Sequence, residues 1–157
     1  MQLNIDMYQA SYRSPLGILE ITANDKEILA IDFVTKKNKS NRHNALIKKC
    51  IVQLEQYFAG QRKTFDLPIF IGGTDWQVRV WTELKKIGFG SVISYHDLAR
   101  MSGNPRAARA VGSAVNKNRL PIIIPCHRVI GSRGDMIGYE GGLWRKKWLL
   151  QHENSFD

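Results

Sequence analysis

Two cysteines, four histidines and five prolines are all that this 157-residue chain carries of the residues that crosslink, ligate metals or stiffen a backbone. Cys50 and Cys126 could close one disulfide at most, which excludes a secreted, crosslinked scaffold. Neither a Cys-x-x-Cys nor a His-x-x-x-His spacing occurs, so no metal site is expected, and no organic cofactor is implied. No apolar run approaches the roughly 20 residues of a membrane span. A basic segment leading into an apolar core is missing from the N-terminus, so a cytoplasmic location is expected. Acidic residues are also scarce: 14 against 23 lysines and arginines, for a net charge of +9. The imbalance is local. Residues 76–153 hold 13 basic against 5 acidic residues, a net +8, and the remainder is nearly neutral. Such a region has the electrostatic footprint of a nucleic-acid binder. An ordinary soluble basic surface has the same composition, so charge alone leaves the two at even odds.

The length suits one domain or two small ones. Tyr8–Tyr12, Ile18–Thr22 and Ile28–Val34 read as strands, separated by turns at Ser14-Pro15-Leu16-Gly17 and Asn24-Asp25-Lys26. Thr35 to Asn44, with Lys36-Lys37-Asn38-Lys39, reads as a solvated loop. Leu46, Ile47, Cys50, Ile51, Leu54, Tyr57 and Phe58 recur at helical spacing over Ala45–Phe58, and Gly60 stops the helix. Cys50 is thereby a packing residue. Gly72-Gly73 marks a boundary between an α/β domain, 1–73, and a mostly α domain, 74–157.

In the second domain, Thr74 or Asp75 caps a helix whose apolar face runs through Trp76, Val80, Trp81, Leu84 and Ile87. Ser94 caps a short helix from Tyr95 to Met101. After the turn Ser102-Gly103-Asn104, a second helix is predicted from Pro105 to Asn116, with Arg106 and Arg109 on one face. Two short helices around a glycine turn read as a helix-turn-helix, a motif shared by many hairpins that bind no DNA. Ala107, Ala108, Ala110, Gly112, Ser113 and Ala114 are all small, which permits close approach, whether to another surface or to the protein's own core. Leu143–His152 reads as a last helix, with Leu143, Trp144, Lys147, Trp148 and Gln151 at helical spacing and Arg145-Lys146-Lys147 as a solvated face.

The stretch Leu120-Pro121-Ile122-Ile123-Ile124-Pro125-Cys126-His127-Arg128-Val129 carries the chemistry. Its apolar run is short, β-branched and flanked by prolines, which predicts a buried extended segment. A free cysteine more often acts as a small buried hydrophobe than as a reagent. Here it is followed by a histidine and an arginine, whose field could lower its pKa from about 8.5 and make it a nucleophile.

Pro125-Cys126-His127-Arg128-Val129-Ile130 resembles the active-site motif of the O6-alkylguanine-DNA alkyltransferases, the methylated-DNA–protein-cysteine methyltransferases. Gly138-Tyr139, Gly142-Leu143 and Lys147-Trp148-Leu149-Leu150-Gln151-His152-Glu153 match the same family. So do Trp76-Gln77, Val80-Trp81, Ile93-Ser94-Tyr95 and Ala108-Arg109-Ala110-Val111-Gly112. Gly88 departs from the Ile-Pro-x-Gly usual in the family, which bears on loop stiffness. The resemblance covers about Thr74 to Glu153. It implies a ribonuclease-H-like first domain, a second domain that binds double-stranded DNA, and a monomer.

The implied reaction is direct reversal of damage. The alkyl group of O6-alkylguanine, or of O4-alkylthymine, passes irreversibly to Cys126, once per molecule. By resemblance Glu153 orients His127, which takes the Cys126 proton through a water. Tyr95 serves as a donor to the base. Asn118 is a hinge between the helix-turn-helix and the cysteine segment, where the residues alone read as an ordinary C-cap. The carbonyls of Cys126 and Val129, the Tyr139 loop and the backbone N–H of Glu140 would bind the guanine. Glu140 replaces the serine often found there. Arg109 would fill the gap left by the flipped base, whose extrusion costs a few kcal/mol, with Arg106, Ala107, Ala110 and Gly112 alongside it on the DNA. The main competing reading is a non-catalytic protein that recognises alkylguanine, against which Cys126 argues. A transcription regulator would not need the Cys-His-Glu set, and a thiol hydrolase would need an oxyanion pair that the sequence does not display.

Overall fold

The computed structural model describes residues 6–38 and 41–154. The chain divides into two compact units, Met1–Phe70 and Ile71–Asp157. Lys39 of the basic loop lies outside the described residues.

The first unit is a three-stranded antiparallel sheet, β1 (Tyr8–Ser14), β2 (Gly17–Ala23) and β3 (Ile28–Val34), in the order β1-β2-β3. Strict alternation along β2 buries Leu19, Ile21 and Ala23 on one face, and α1 (Ala45–Phe58) packs on β1 and β2. The helix contributes Ile47, Cys50, Leu54 and Tyr57 to this core. Asn44 caps it by accepting from Ile47 N–H at 2.8 Å. The edges of the sheet are occupied: Gln9 exchanges both backbone hydrogen bonds with Arg42, and Ile28 bonds to Pro68 and Phe70. Burial pushes the Cys50 thiol up to about 12, so it is an inert packing group, as its helical spacing predicts.

The second unit begins with α2 (Asp75–Leu84), opened by a reciprocal capping box between Thr74 and Gln77. A two-residue strand, β4 (Ile93–Ser94), leads directly into α3 (Tyr95–Met101), where the Ser94 hydroxyl accepts from Asp97 N–H at 3.0 Å. The turn that follows is a Schellman motif. Gly103 takes φ +99°, its N–H bonds to Arg100, and Asn104 N–H bonds to Ala99. From there the chain enters α4 (Ala108–Asn116), and α2, α3 and α4 pack against one another. Trp81 on α2 fixes the arrangement by donating its indole N–H to Ala114 O at 2.8 Å.

Three expectations need correction. The helix predicted from Pro105 starts at Ala108 instead. The Asn104 carboxamide captures Arg106 N–H at 3.1 Å, and Ala107 N–H closes onto Asn104 O, so residues 104–107 form a turn. Arg106 therefore does not share a helical face with Arg109. Second, Leu120–Ile124 is not extended. Ile124 N–H folds back to Leu120 O at 2.8 Å, and Ile122 sits at φ +76°. Third, the last helix, α5 (Leu143–His152), buries Lys146, Leu149 and Leu150, while Leu143 and Trp144 are exposed. Lys146 is thus on the buried face and not on a solvated one.

The left-handed backbone at Gly103 penalises any L side chain by about 1–2 kcal/mol. The space above it is open but for the end of the Arg79 guanidinium at 3.4 Å. Gly103→Ala is expected to lower the unfolding free energy by about that amount, and Gly103→Asn by less, because asparagine tolerates this region. Urea titrations of the three proteins check it.

Candidate active site

Cys126 opens a single 3-10 turn, Cys126–Arg128, which runs straight into β5 (Val129–Ile130), paired in parallel with β4. The approach to it is tightly wound. Pro125, at φ −80° and ψ 66°, forms an inverse γ-turn in which Cys126 N–H bonds to Ile124 O at 2.8 Å. Asn118, just beyond α4, spans the preceding loop. Its Oδ1 accepts from Leu120 N–H at 2.9 Å and its Nδ2 donates to Ile124 O at 2.8 Å. These bonds pull the apolar run into a loop and hold Ile122 where a β-branched residue is strained. Lys117 is the C-cap of α4, so Asn118 is a bridge to the cysteine segment and not an ordinary cap.

Two side chains of the 3-10 turn, His127 and Arg128, converge on Glu153, the residue that follows α5. His127 Nε2 lies 2.8 Å from Glu153 Oε2, and both groups are fully buried. Arg128 binds the same carboxylate in bidentate fashion, Nε to Oε1 at 2.8 Å and Nη2 to Oε2 at 3.0 Å. Its Nη1 donates to Ile87 O, beyond the end of α2. Burial raises the pKa of Glu153, but the hydrogen bonds from His127 and Arg128 and the charge of Arg128 outweigh it and hold the carboxyl well below the usual range. An ionised carboxylate can only accept. Nε2 of His127 therefore carries the proton, and Nδ1 carries the lone pair. Nδ1 is buried and has no hydrogen-bond partner among the described residues. Burial is the main force on His127 and lowers its pKa, which keeps the ring neutral at pH 7.

Cys126 is 6 % exposed. Burial pushes its thiol up to about 11, against the opposing pull of Asn118, Lys146, the backbone and Tyr139. The resting group is thus a thiol. This corrects the expectation that His127 and Arg128 lower its pKa: Arg128 is committed to Glu153 and Ile87, and His127 is neutral. What the arrangement provides is a neutral imidazole of defined tautomer in the residue adjacent to a protonated thiol. Tyr95, at the start of α3, donates its hydroxyl to Ile137 O at 3.1 Å. Burial raises its pKa, so it remains a donor at neutral pH.

A family model described as the DNA-binding domain of 6-O-methylguanine DNA methyltransferase matches residues 75–155, and its ribonuclease-like domain matches residues 7–71. The chain belongs to the 6-O-methylguanine DNA methyltransferase family. A methylated-DNA–protein-cysteine methyltransferase of Methanosarcina acetivorans is 39 % identical over 95 % of this chain and 99 % of that protein. The constitutive enzyme of Bacillus subtilis is 40 % identical over 91 % and 92 % of the two chains. Among solved structures, Mycobacterium tuberculosis OGT in complex with DNA superposes with a TM-score of 0.87 at 37 % identity, over 94 % of this chain and 93 % of that one.

The residues that the family motif singles out are distributed as follows. Cys126, His127, Glu153 and Asn118 are all buried; His127 is hydrogen-bonded to Glu153, and Asn118 to the backbone of Leu120 and Ile124. Val129 is buried in β5, and its N–H bonds to Cys126 O, leaving that carbonyl one lone pair for a ligand. Half-buried Tyr139 and exposed Glu140 belong to the loop that enters α5. Arg106, Arg109 and Ala110 are exposed, whereas Ala107 and Gly112 are half-buried. A Cβ at Gly112 would touch the Tyr95 ring at 3.8 Å, so Gly112 faces that ring. Two members of the group were missed in the sequence, Arg128 as the partner of Glu153 and the buried Lys146. For Lys146 a signal existed: Lys146, Leu149, Leu150 and Glu153 follow i, i+3, i+4, i+7, the spacing of a buried helix face.

Removing one partner of a buried ion pair costs about 3–5 kcal/mol, and Glu153→Gln is expected to lose about that much stability at pH 7. Glu153 has a folded pKa below its unfolded value near 4.3, so its contribution is present above that value and is lost as the pH falls below it. Denaturation curves should show parent and variant converging in stability below about pH 4.

Proposed function

We propose that this protein repairs alkylated DNA by direct reversal, moving the alkyl group of O6-alkylguanine in a duplex onto Cys126 in a single turnover. The observation that carries the reading is the fixed His127–Glu153–Arg128 group beside a buried thiol. An ionised Glu153 sets the imidazole with Nδ1 as its base. Family membership supports the reaction class, and the basic second unit supports duplex DNA as the partner.

In the proposed reaction His127 Nδ1 accepts the thiol proton, relayed by a water. Glu153 stabilises the imidazolium that results. The Cys126 thiolate attacks the alkyl carbon and forms an S–C bond. The C–O6 bond breaks and its electron pair passes to the guanine, which regains a proton, so the thiol proton ends on the base. Tyr95 gives its hydroxyl to the flipped base in place of Ile137 O. The remaining lone pair of Cys126 O, with Val129 O and the Glu140 N–H, fixes the guanine edge. Tyr139 bounds the pocket. On the DNA side, Arg109 of α4 occupies the space of the extruded nucleotide, with Arg106, Ala107, Ala110 and Gly112 along the groove. Residues 1–73 support the DNA-binding and acceptor domain 74–157.

The thioether is stable, because reversing it would have to expel a thiolate from carbon, so the protein is consumed. It acts as a monomer in the cytoplasm. No helix among the described residues is long and apolar enough to cross a membrane.

Intact-protein mass spectrometry after incubation with a duplex carrying one O6-methylguanine tests the reading. One added methyl is expected, mapped to Cys126, never exceeding one per protein and absent in Cys126→Ser. Binding of the duplex with no mass gain would instead support a damage-recognition protein.

A further inference from the structure

Arg79 of α2 is exposed, and on its own helix it lies between two carboxylates, Asp75 and Glu83, one turn to either side. Asp75 is the better partner, since an acid one turn N-terminal to a base stabilises a helix. Arg79 takes neither. It enters no ion pair among the described residues, and Glu83 pairs with Lys86 at 2.9 Å. The guanidinium reaches instead to the turn between α3 and α4. There its Nη1 lies 3.4 Å from the point that a Cβ on Gly103 would occupy. Gly103 thus supplies the φ of +99° that the turn needs and also leaves its surface clear for the guanidinium.

The placement is fixed from both sides. Trp76 donates its indole N–H to Ala110 O at 3.3 Å, and Trp81 donates to Ala114 O at 2.8 Å. Arg79 falls between these two anchors of α2 on α4. It therefore belongs to the same packed set of three helices as the exposed Arg106 and Arg109. The carboxylates of α2 and α3 are otherwise engaged. Glu83 is held by Lys86, Asp97 is bound by Arg100 at 2.8 Å, and Asp75 lies in the first turn of α2, where the helix dipole stabilises it. Arg79 is left as an uncompensated cation laid along the turn.

We propose that Arg79 is a phosphate contact: its guanidinium binds one backbone phosphate of duplex DNA and extends the DNA-binding face from α3 and α4 onto α2.

The inference rests on duplex DNA as the partner and not on alkyl transfer. In a docked helix-turn-helix the second helix lies in the groove and the first crosses the backbone, which brings the turn between them up to the phosphates. A guanidinium offers a phosphate two parallel N–H donors, a geometry that an ammonium lacks. A phosphate contact fixes register and carries no information about the base, so Arg79 serves intact and damaged duplex equally.

The test measures the affinity of the full chain by fluorescence anisotropy, between roughly 50 and 200 mM salt. It uses an unmodified duplex and the same duplex with one O6-methylguanine. The variants are Arg79→Gln, Arg79→Lys and, as a control for lost charge, Lys48→Gln at an exposed position of α1. If the parent binds neither duplex, the DNA partner itself is wrong, a failure distinct from that of Arg79. Given binding, Arg79→Gln is expected to lower the slope of log K against log salt by about 1, a loss of about fivefold to tenfold near ~0.1 M salt, equal for both duplexes. Arg79→Lys should keep the slope, because an ammonium also displaces a counterion, and Lys48→Gln should behave as the parent. Methyl transfer at saturating duplex should keep the parental rate in Arg79→Gln. An unchanged slope in Arg79→Gln would overturn the proposal. So would an equal loss in Lys48→Gln, or a loss confined to the methylated duplex. A second measurement replaces the phosphates one at a time by uncharged methylphosphonates. One replacement is expected to weaken the parent and leave Arg79→Gln unaffected. If every replacement weakens the two proteins alike, no phosphate belongs to Arg79 and the assignment is wrong.

Discussion

The second unit is arranged around one carboxylate. Glu153 immediately follows α5, is fully buried, and is bound by both ends of the residue pair His127-Arg128. An isolated carboxylate could not occupy that position, because its desolvation would protonate it. The bidentate guanidinium prevents this, and the third contact of Arg128, to Ile87, ties the same group to the segment after α2. The backbone of Glu153 is tightly enclosed as well: a Cβ at Gly90 would meet its carbonyl oxygen at 3.2 Å. Three segments far apart in sequence thus depend on one charge. Its chemical consequence is that a neutral imidazole can exist there in only one tautomer.

That tautomer matters because the thiol beside it is not activated at rest. A pKa near 11 means that a solvent-borne electrophile meets a buried, protonated sulfur. In the proposed reaction, activation therefore comes from the imidazole and not from a thiolate held ready in the resting protein. The strained loop before Cys126 belongs to the same design. Ile122 is held at φ +76° by bonds that start at Asn118, two residues beyond the end of α4. Asn118 thus ties the residues after α4 to the segment that leads into the thiol.

Much of this was legible in the residues. Alternation and helical spacing marked β1 to β3 and α1; the extent of α5 was also marked, but its buried face was misassigned, because no cap and no wholly apolar stripe fix its phase. Ser94 and Gly103 announced the ends of α3. The start of α4 was misread because Pro105 suits a first helical turn, and nothing local reveals that the Asn104 side chain will capture Arg106 first. The run Pro121–Ile124 looked extended because its composition is that of a strand; the bonds that bend it come from Asn118, which reads locally as a cap. The Cys-His-Glu group emerged from the family motif. Spacing alone does not bring residues 127 and 153 together.

Lys146 shows why the remainder was hidden. In a run of three basic residues the default is a solvated face, and two of the three, Arg145 and Lys147, do reach solvent. The middle one is carried inward because α5 must present Glu153 to His127, and the residue seven positions earlier lies on the same side of the helix. Burying the carboxylate fixes the helix phase, and the helix phase buries the lysine. The ammonium carried inward in this way is met by two backbone carbonyls of the loop before α5, Ile137 O at 2.9 Å and Gly138 O at 3.3 Å.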